Sequence, residues 1–309
     1  MKSPTKTKIN LVYIAGYGHS GSTILDIALG THSEITSLGE FNNFSEWVME
    51  NDPCSCGRLI NECKFWKPIL DKVPRSRSAT VSFGLTKRSQ LRHLFRAISK
   101  RFLDAGEQDI AELNHEILDK LHTEAHTLYA VDSSKSFGRL LALSRSGLFN
   151  LKIIHLIRDG RGVVYSMQKS KAITMERHYQ FQKRRPSGYV ARRWLVTNLV
   201  IFICHFLLFR DNYMLVNYED FAAQPDAVLK TIHKFLGIQP ERLKDQIQVS
   251  HNVGGNDLRL KPIRSIKIDL EWKNSLAYKD LIWFNINGGF IANLFRYRIR
   301  PKYSSTKLI

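Results

Sequence analysis

Acid is what this sequence is short of. Asp and Glu number 28 against 46 Lys and Arg, a formal net charge of +18 over 309 residues. An excess of that size speaks to partners and solubility rather than to fold, and it points to a polyanion, an anionic lipid surface or a small multiply charged ligand. Long hydrophobic runs are missing too. The most apolar window, Leu195–Phe209, falls short of the ~18 residues of a membrane span, and Asn198 and His205 interrupt it, so it reads as a core helix. Residues 1–8 are polar and basic. The apolar run after them, Ile9–Ala15, is too short for a signal h-region and reads as a buried strand, so a cytoplasmic protein is expected. Cysteines number only four, and 18 Gly with 9 Pro exclude a collagen-like or low-complexity chain.

What remains is ample for a core: 43% of residues are hydrophobic and 11% aromatic, and the length favours a single domain over 1–309. Apolar runs alternate with helical periodicity, the pattern of βαβ units around a mainly parallel sheet. Strands are expected at Asn10–Ala15, Ile35–Ser37, Leu128–Val131, Leu151–Ile157 and Tyr213–Val216. Helices are expected near Ser22–Leu29, Asp109–His126, Ser136–Ser144, Arg161–Lys169, Tyr189–Phe209 and Asp226–Leu236. Gly30 and Gly237 follow helical runs, where a left-handed C-terminal glycine is expected. Two basic stretches look like insertions. Residues 72–103 hold nine Lys or Arg and no acid, and Arg177–Arg193 contains Lys183-Arg184-Arg185 and Arg192-Arg193. Each is a solvated face or a funnel for an anionic acceptor. Beyond Phe295 aromatic and basic residues alternate; a solvated tail over 296–309 is expected, with contact to a membrane surface as the other reading.

The densest chemistry lies in Ile9–Leu25. A hydrophobic strand runs into Gly16-Tyr17-Gly18-His19-Ser20-Gly21-Ser22-Thr23, which opens a helix. Gly16, Gly18 and Gly21 permit close backbone approach to a ligand, successive N–H groups and the helix dipole make an anion cradle, and Ser20, Ser22 and Thr23 add donors. The spacing is that of a nucleotide-triphosphate loop with Ser22 where such a loop carries lysine, which argues against ATP or GTP hydrolysis. Three cysteines, Cys54, Cys56 and Cys63, fall within ten residues. They suit zinc with a fourth ligand such as His, one disulfide with a spare thiol, or reduced packing residues. No fourth ligand is evident at the usual spacing, and no residue is assigned to a metal.

With these residues in view, the sequence resembles the sulfotransferase family that uses 3′-phosphoadenosine 5′-phosphosulfate (PAPS). The glycine loop is similar to that family's 5′-phosphosulfate motif, with His19 where the family usually has Arg or Lys. The segment Leu151–Ser166 is similar to its 3′-phosphate motif, which implies that Arg158 and Ser166 hold that phosphate. The later run His251–Arg259 resembles the segment that folds over the nucleotide, with Asn256 and Arg259 as contacts. Tyr218-Glu219-Asp220-Phe221 and Trp272 look like family landmarks and read as scaffold, and Cys-x-Cys-Gly segments like this one imply a structural role near the acceptor cleft. The resemblance runs from Ile9 to about Trp272, with most of 64–128 unmatched. It implies a phosphate-loop-like three-layer αβα fold with helical insertions, and sulfuryl transfer to a hydroxyl, giving 3′,5′-ADP without need of a metal. Glu40, in a Gly-Glu context, is the implied base; Lys135 meets the sulfonate or bridging oxygen; His19 assists. A carbohydrate, an anionic glycan or a small alcohol is the expected acceptor. Two other classes stay open: a phosphate-loop kinase, which the missing lysine disfavours, and a basic nucleic-acid-binding protein, which no recognition motif supports.

Overall fold

Alternation along the first strand, β1 (Ile9–Ala15), sets the architecture. Ile9, Leu11, Tyr13 and Ala15 enter one hydrophobic cluster, and Val12 and Ile14 enter another. Successive side chains of a strand point to opposite faces, so a strand buried on both sides needs helices on both sides. The computed structural model describes residues 7–72, 103, 105–169, 172–175, 178–181, 185–244, 247, 251–252, 257–260, 263, 265–289 and 292–295. The expected insertion at 72–103 and tail at 296–309 lie almost wholly outside these residues.

Along the chain, β1 is followed by α1 (Ser22–Leu29), β2 (Ile35–Gly39), α2 (Phe44–Glu50) and α3 (Trp66–Asp71). After these come α4 (Ala105–Ala125), β3 (Tyr129–Asp132), α5 (Phe137–Arg145), β4 (Phe149–Ile157) and α6 (Gly160–Gln168). A hairpin of β5 (Ala172–Met175) and β6 (His178–Phe181) precedes α7 (Ser187–Leu208) and β7 (Tyr213–Asn217). The remaining helices are α8 (Tyr218–Ala223), α9 (Pro225–Leu236), α10 (Trp272–Ser275) and α11 (Tyr278–Phe284).

Five strands form one sheet in the order β2-β3-β1-β4-β7, and every pairing in it is parallel. Residues of α1, α8 and α9 cover one face, and residues of α4, α5 and α7 cover the other. The sequence-predicted strands and helices are all present. Local chemistry fixes their ends: Asp159 accepts the Arg161 N–H at the start of α6 at 2.9 Å, and Ser136 accepts that of Arg139 at the start of α5. Gly237 closes α9 in the left-handed region at φ 77°, as its position suggests. Gly30 does not; its φ is −67°, and the reason for glycine there is space, since a Cβ would sit 2.6 Å from Ser37 Cβ. α7 runs for 22 residues and is long and apolar enough to cross a membrane, yet Val190, Trp194, Asn198, Ile201 and Cys204 are buried against the rest of the molecule. It is a core helix.

Candidate active site

Parallel strands deliver their C-terminal ends to one edge, so the loops after β1, β2, β3, β4 and β7 share one rim. The chain leaves β1 towards β3 and β2, and leaves β4 towards β7, so the order reverses between β1 and β4. Such a reversal opens a crevice at the carboxyl ends of the strands, where αβα folds take their ligands. The glycine loop and Arg158 lie on its two sides.

The loop is built to bring backbone close to something else. Gly16 has φ 151°, and a Cβ on it would lie 2.4 Å from the Leu156 carbonyl oxygen. Gly21 has φ 87°, and a Cβ there would strike the Tyr218 ring at 2.4 Å. His19 itself sits in the left-handed region at φ 65°. Among the described residues the buried Ser20 hydroxyl has no hydrogen-bond partner. A donor left over in a glycine-lined turn at a helix N-terminus is what an anion would satisfy. Gly18 lies in the same turn, and Ser22 and Thr23 are the first two residues of α1.

Opposite the loop stand Lys135 and Glu40. The Lys135 ammonium donates to Glu40 Oε1 at 2.6 Å and to Ser22 Oγ at 3.1 Å. Both side chains are partly buried, at 16% and 30% exposure, so the pair is neither fully solvated nor sealed. Each is held by its backbone. The β2 register shifts between Ser37 and Gly39, and Gly39 accepts the Ser133 N–H at 2.9 Å. A bulge at a strand end re-aims the residue after it, here Glu40. Lys135 has φ 61°, and the turn before it is fixed by Asp132, which accepts from the Ser134 N–H and hydroxyl. Ser134 Oγ accepts the Asn42 N–H at 2.9 Å, tying the two loops together. Behind them Asp132 pairs with Arg139 at 2.8 Å, both fully buried.

On the other side, Arg158 directly follows β4. Its guanidinium donates to the His19 carbonyl at 3.2 Å and to Asp269 Oδ2 at 3.0 Å, and lies over the Tyr218 ring at 4.7 Å. The Asp269 carboxyl, pushed up by partial burial, is held below its usual range by the hydrogen bond and charge of Arg158. Burial raises the Tyr218 phenol, against the pull of the same guanidinium. Ser166, one face along α6, meets His19 Nδ1 at 2.9 Å. Glycine loop, Arg158 and Ser166 are therefore in direct contact. Burial raises the phenol of Tyr17 in the loop, and the charges of Arg193, in the first turns of α7, and of Arg185, just before it, pull the other way.

Arg259 is buried, and its guanidinium donates to the Pro53 and Asn252 carbonyls at 3.0 and 3.4 Å, so it braces the cysteine-bearing loop against the chain after His251. Asn256 lies outside the described residues. Sequence reading missed Asp269 as the partner of Arg158 and took Tyr218 for scaffold alone; neither acid nor ring carries a local signal, because both contacts join segments remote in sequence. It also left the three cysteines without a companion. His251 Nδ1 lies 3.2 Å from Cys63 Sγ and 3.8 Å from Cys54 Sγ.

A family model described as the sulfotransferase family matches residues 12–242. Carbohydrate sulfotransferase 1 of Danio rerio is 32% identical over 136 residues, covering 40% of this chain and 31% of its own, so the match spans less than a third of that relative. Among solved structures, the sulfotransferase domain from the curacin biosynthetic pathway covers 96% of this chain and 100% of its own length at TM-score 0.54 and 17% identity. The sulfotransferase domain from the Synechococcus PCC 7002 olefin synthase covers 97% and 99% at TM-score 0.50 and 20% identity. The likeness to these two is one of fold: a phosphate-loop αβα architecture.

Proposed function

Since the chain belongs to the sulfotransferase family, we propose that it moves the sulfuryl group of PAPS to an acceptor hydroxyl. The observation that carries this reading is Lys135, whose ammonium reaches the phosphate-loop Ser22 and the carboxylate of Glu40 at once. A loop for the donor's 5′ end, a cation for the charge that develops and a base for the acceptor proton thus meet at one point.

The acceptor oxygen attacks sulfur in line, a new O–S bond forms, and the bond from sulfur to the bridging phosphate oxygen breaks. The acceptor proton goes to Glu40, and the electron pair stays on the 5′-phosphate of 3′,5′-ADP. Loop N–H groups, the Ser20 and Ser22 hydroxyls, His19 and Lys135 stabilise that leaving charge, so catalysis is positioning plus electrostatics. Without donor, Lys135 and Glu40 neutralise each other. A sulfonate placed against Lys135 competes for its ammonium and frees the carboxylate to take the proton, which couples donor binding to activation of the base. Arg158 and Ser166 take the 3′-phosphate, and Arg259, bonded to the Pro53 and Asn252 carbonyls, braces the chain at Asn252.

For the acceptor, the carbohydrate named in the Danio rerio relative and the cations Arg185 and Arg193 beside the loop both favour a glycan, an anionic one in particular. The discriminating experiment is a thermal-shift titration with 3′,5′-ADP, ATP–Mg²⁺ and duplex DNA, followed by transfer of labelled sulfate from PAPS to glycans and small alcohols. Stabilisation by 3′,5′-ADP, lost in Arg158→Ala far more than stabilisation by adenosine 5′-phosphosulfate, is expected. A shift with ATP–Mg²⁺ and none with 3′,5′-ADP overturns the reading in favour of a kinase.

A further inference from the structure

We propose that Cys54, Cys56, Cys63 and His251 hold a structural zinc ion in a closed Cys₃His site. The four ligand atoms, three Sγ and one imidazole nitrogen, all lie within 4.8 Å of one another. Cys63 Sγ is 3.7 Å from both Cys54 Sγ and Cys56 Sγ, and His251 Nδ1 is 3.2 Å from Cys63 Sγ and 3.8 Å from Cys54 Sγ. Tetrahedral zinc with Zn–S bonds of about 2.3 Å and a Zn–N bond of about 2.0 Å separates sulfurs by roughly 3.8 Å and sulfur from nitrogen by roughly 3.5 Å. Four of the six ligand-to-ligand distances fall within about 0.3 Å of those values, and the other two lie within 4.8 Å.

The surroundings are those of a metal knuckle. Gly57 turns the chain at φ 83° with its N–H on the Cys54 carbonyl, and Cys54 N–H closes on the Arg58 carbonyl at 2.8 Å. His251 is locked as a ligand. Its ring stacks on Phe65 at 4.9 Å and 8°, its carbonyl accepts from Trp66 Nε1 at 2.7 Å, and its backbone is held at φ 43°. A non-glycine residue kept in the left-handed region marks a place where the surroundings over-determine the backbone. Binding forms three Zn–S bonds and one Zn–N bond and releases three thiol protons. Four protein ligands leave no open position, so the ion is structural and takes no part in transfer.

Its work is to join ends of the chain. Cys54, Cys56 and Cys63 follow α2, and His251 comes after α9, so the ion pins the 251–252 segment, and through Asn252 the buried Asp26 of α1, to the loop between α2 and α3. Metal content reads this site directly, whatever the donor nucleotide.

The test is elemental analysis of the full-length protein purified in metal-free buffer without reductant. About one equivalent of zinc per chain is expected, released as a mercurial titrates the thiols. Cobalt added to the released protein should give the charge-transfer and ligand-field bands of a tetrahedral thiolate site. Cys56→Ser, at an exposed thiol, and His251→Asn should each abolish most of the bound zinc and lower Tm, while Cys204→Ala keeps the full complement. Should a variant fail to fold, the zinc, mercurial and cobalt readings on the wild-type protein stand alone. Folded wild-type protein that holds no zinc and takes up no cobalt overturns the site, and so does a disulfide between any two of the three cysteines.

Discussion

At the scale of single residues, the charge relay around the crevice carries the sharpest predictions. Glu40→Gln keeps the shape of the side chain and its contact with Lys135 but removes the base. Turnover should fall roughly 100- to 10,000-fold, with 3′,5′-ADP affinity close to wild type; unchanged turnover takes Glu40 out of the reaction. Asp26 makes a different kind of prediction. Burial pushes its carboxyl up to about 7, against hydrogen bonds from Ser37 and Asn252. The folded protein thus keeps a proton that the unfolded chain loses near pH ~4, and stability present below that pH is lost as pH rises towards 7. His155 and His233, lowered by burial to about 4, act in the opposite sense, costing stability as pH falls from about 6.5. Asp26→Asn removes only the first effect. Urea midpoints of variant and wild type should diverge in the variant's favour from pH 4 to 7 and run parallel above; a constant offset across that range would refute the assignment.

At the scale of elements, what the sequence could and could not announce divides by range. The five sheet strands and the long helices carry their own periodicity, so their positions are readable from the residues between Ile9 and Leu236. The glycine loop is readable for the same reason, since strand, turn and helix are contiguous. Short helices such as α2, α8 and α10 are not; a turn or two gives too little pattern, and burial of Phe44, Phe221 and Trp272 stabilises them from outside. Sheet order, the Arg158–Asp269 pair and the meeting of His251 with the cysteines are products of the folded chain alone. The β1–loop–α1 unit supplies the prediction at this scale. Gly16→Ala places a methyl group against the Leu156 carbonyl and forces a backbone conformation that costs an alanine about 1–3 kcal/mol before any clash. Lower Tm and loss of 3′,5′-ADP binding are expected; a variant that binds as tightly as wild type would show that the cradle tolerates a side chain.

Over the whole molecule the net charge of +18 becomes an experimental variable. Surface electrostatics is screened over about 10 Å at 0.1 M salt. For an anionic glycan acceptor, KM should rise steeply between low and physiological salt while kcat holds; a salt-indifferent KM would favour an uncharged acceptor. The sheet order has a consequence of another kind. Val12, in the central strand, lies beside Val131 and Lys152, so its neighbours on either side are made long after it during synthesis. Until β3 and β4 have left the ribosome, Ile9–Ala15 has no partner to hydrogen-bond, and an unpaired apolar strand on a nascent chain is an invitation to aggregate. Yield of the protein in a cell should therefore track the supply of chaperones that shelter emerging polypeptide, more than the stability of the finished fold.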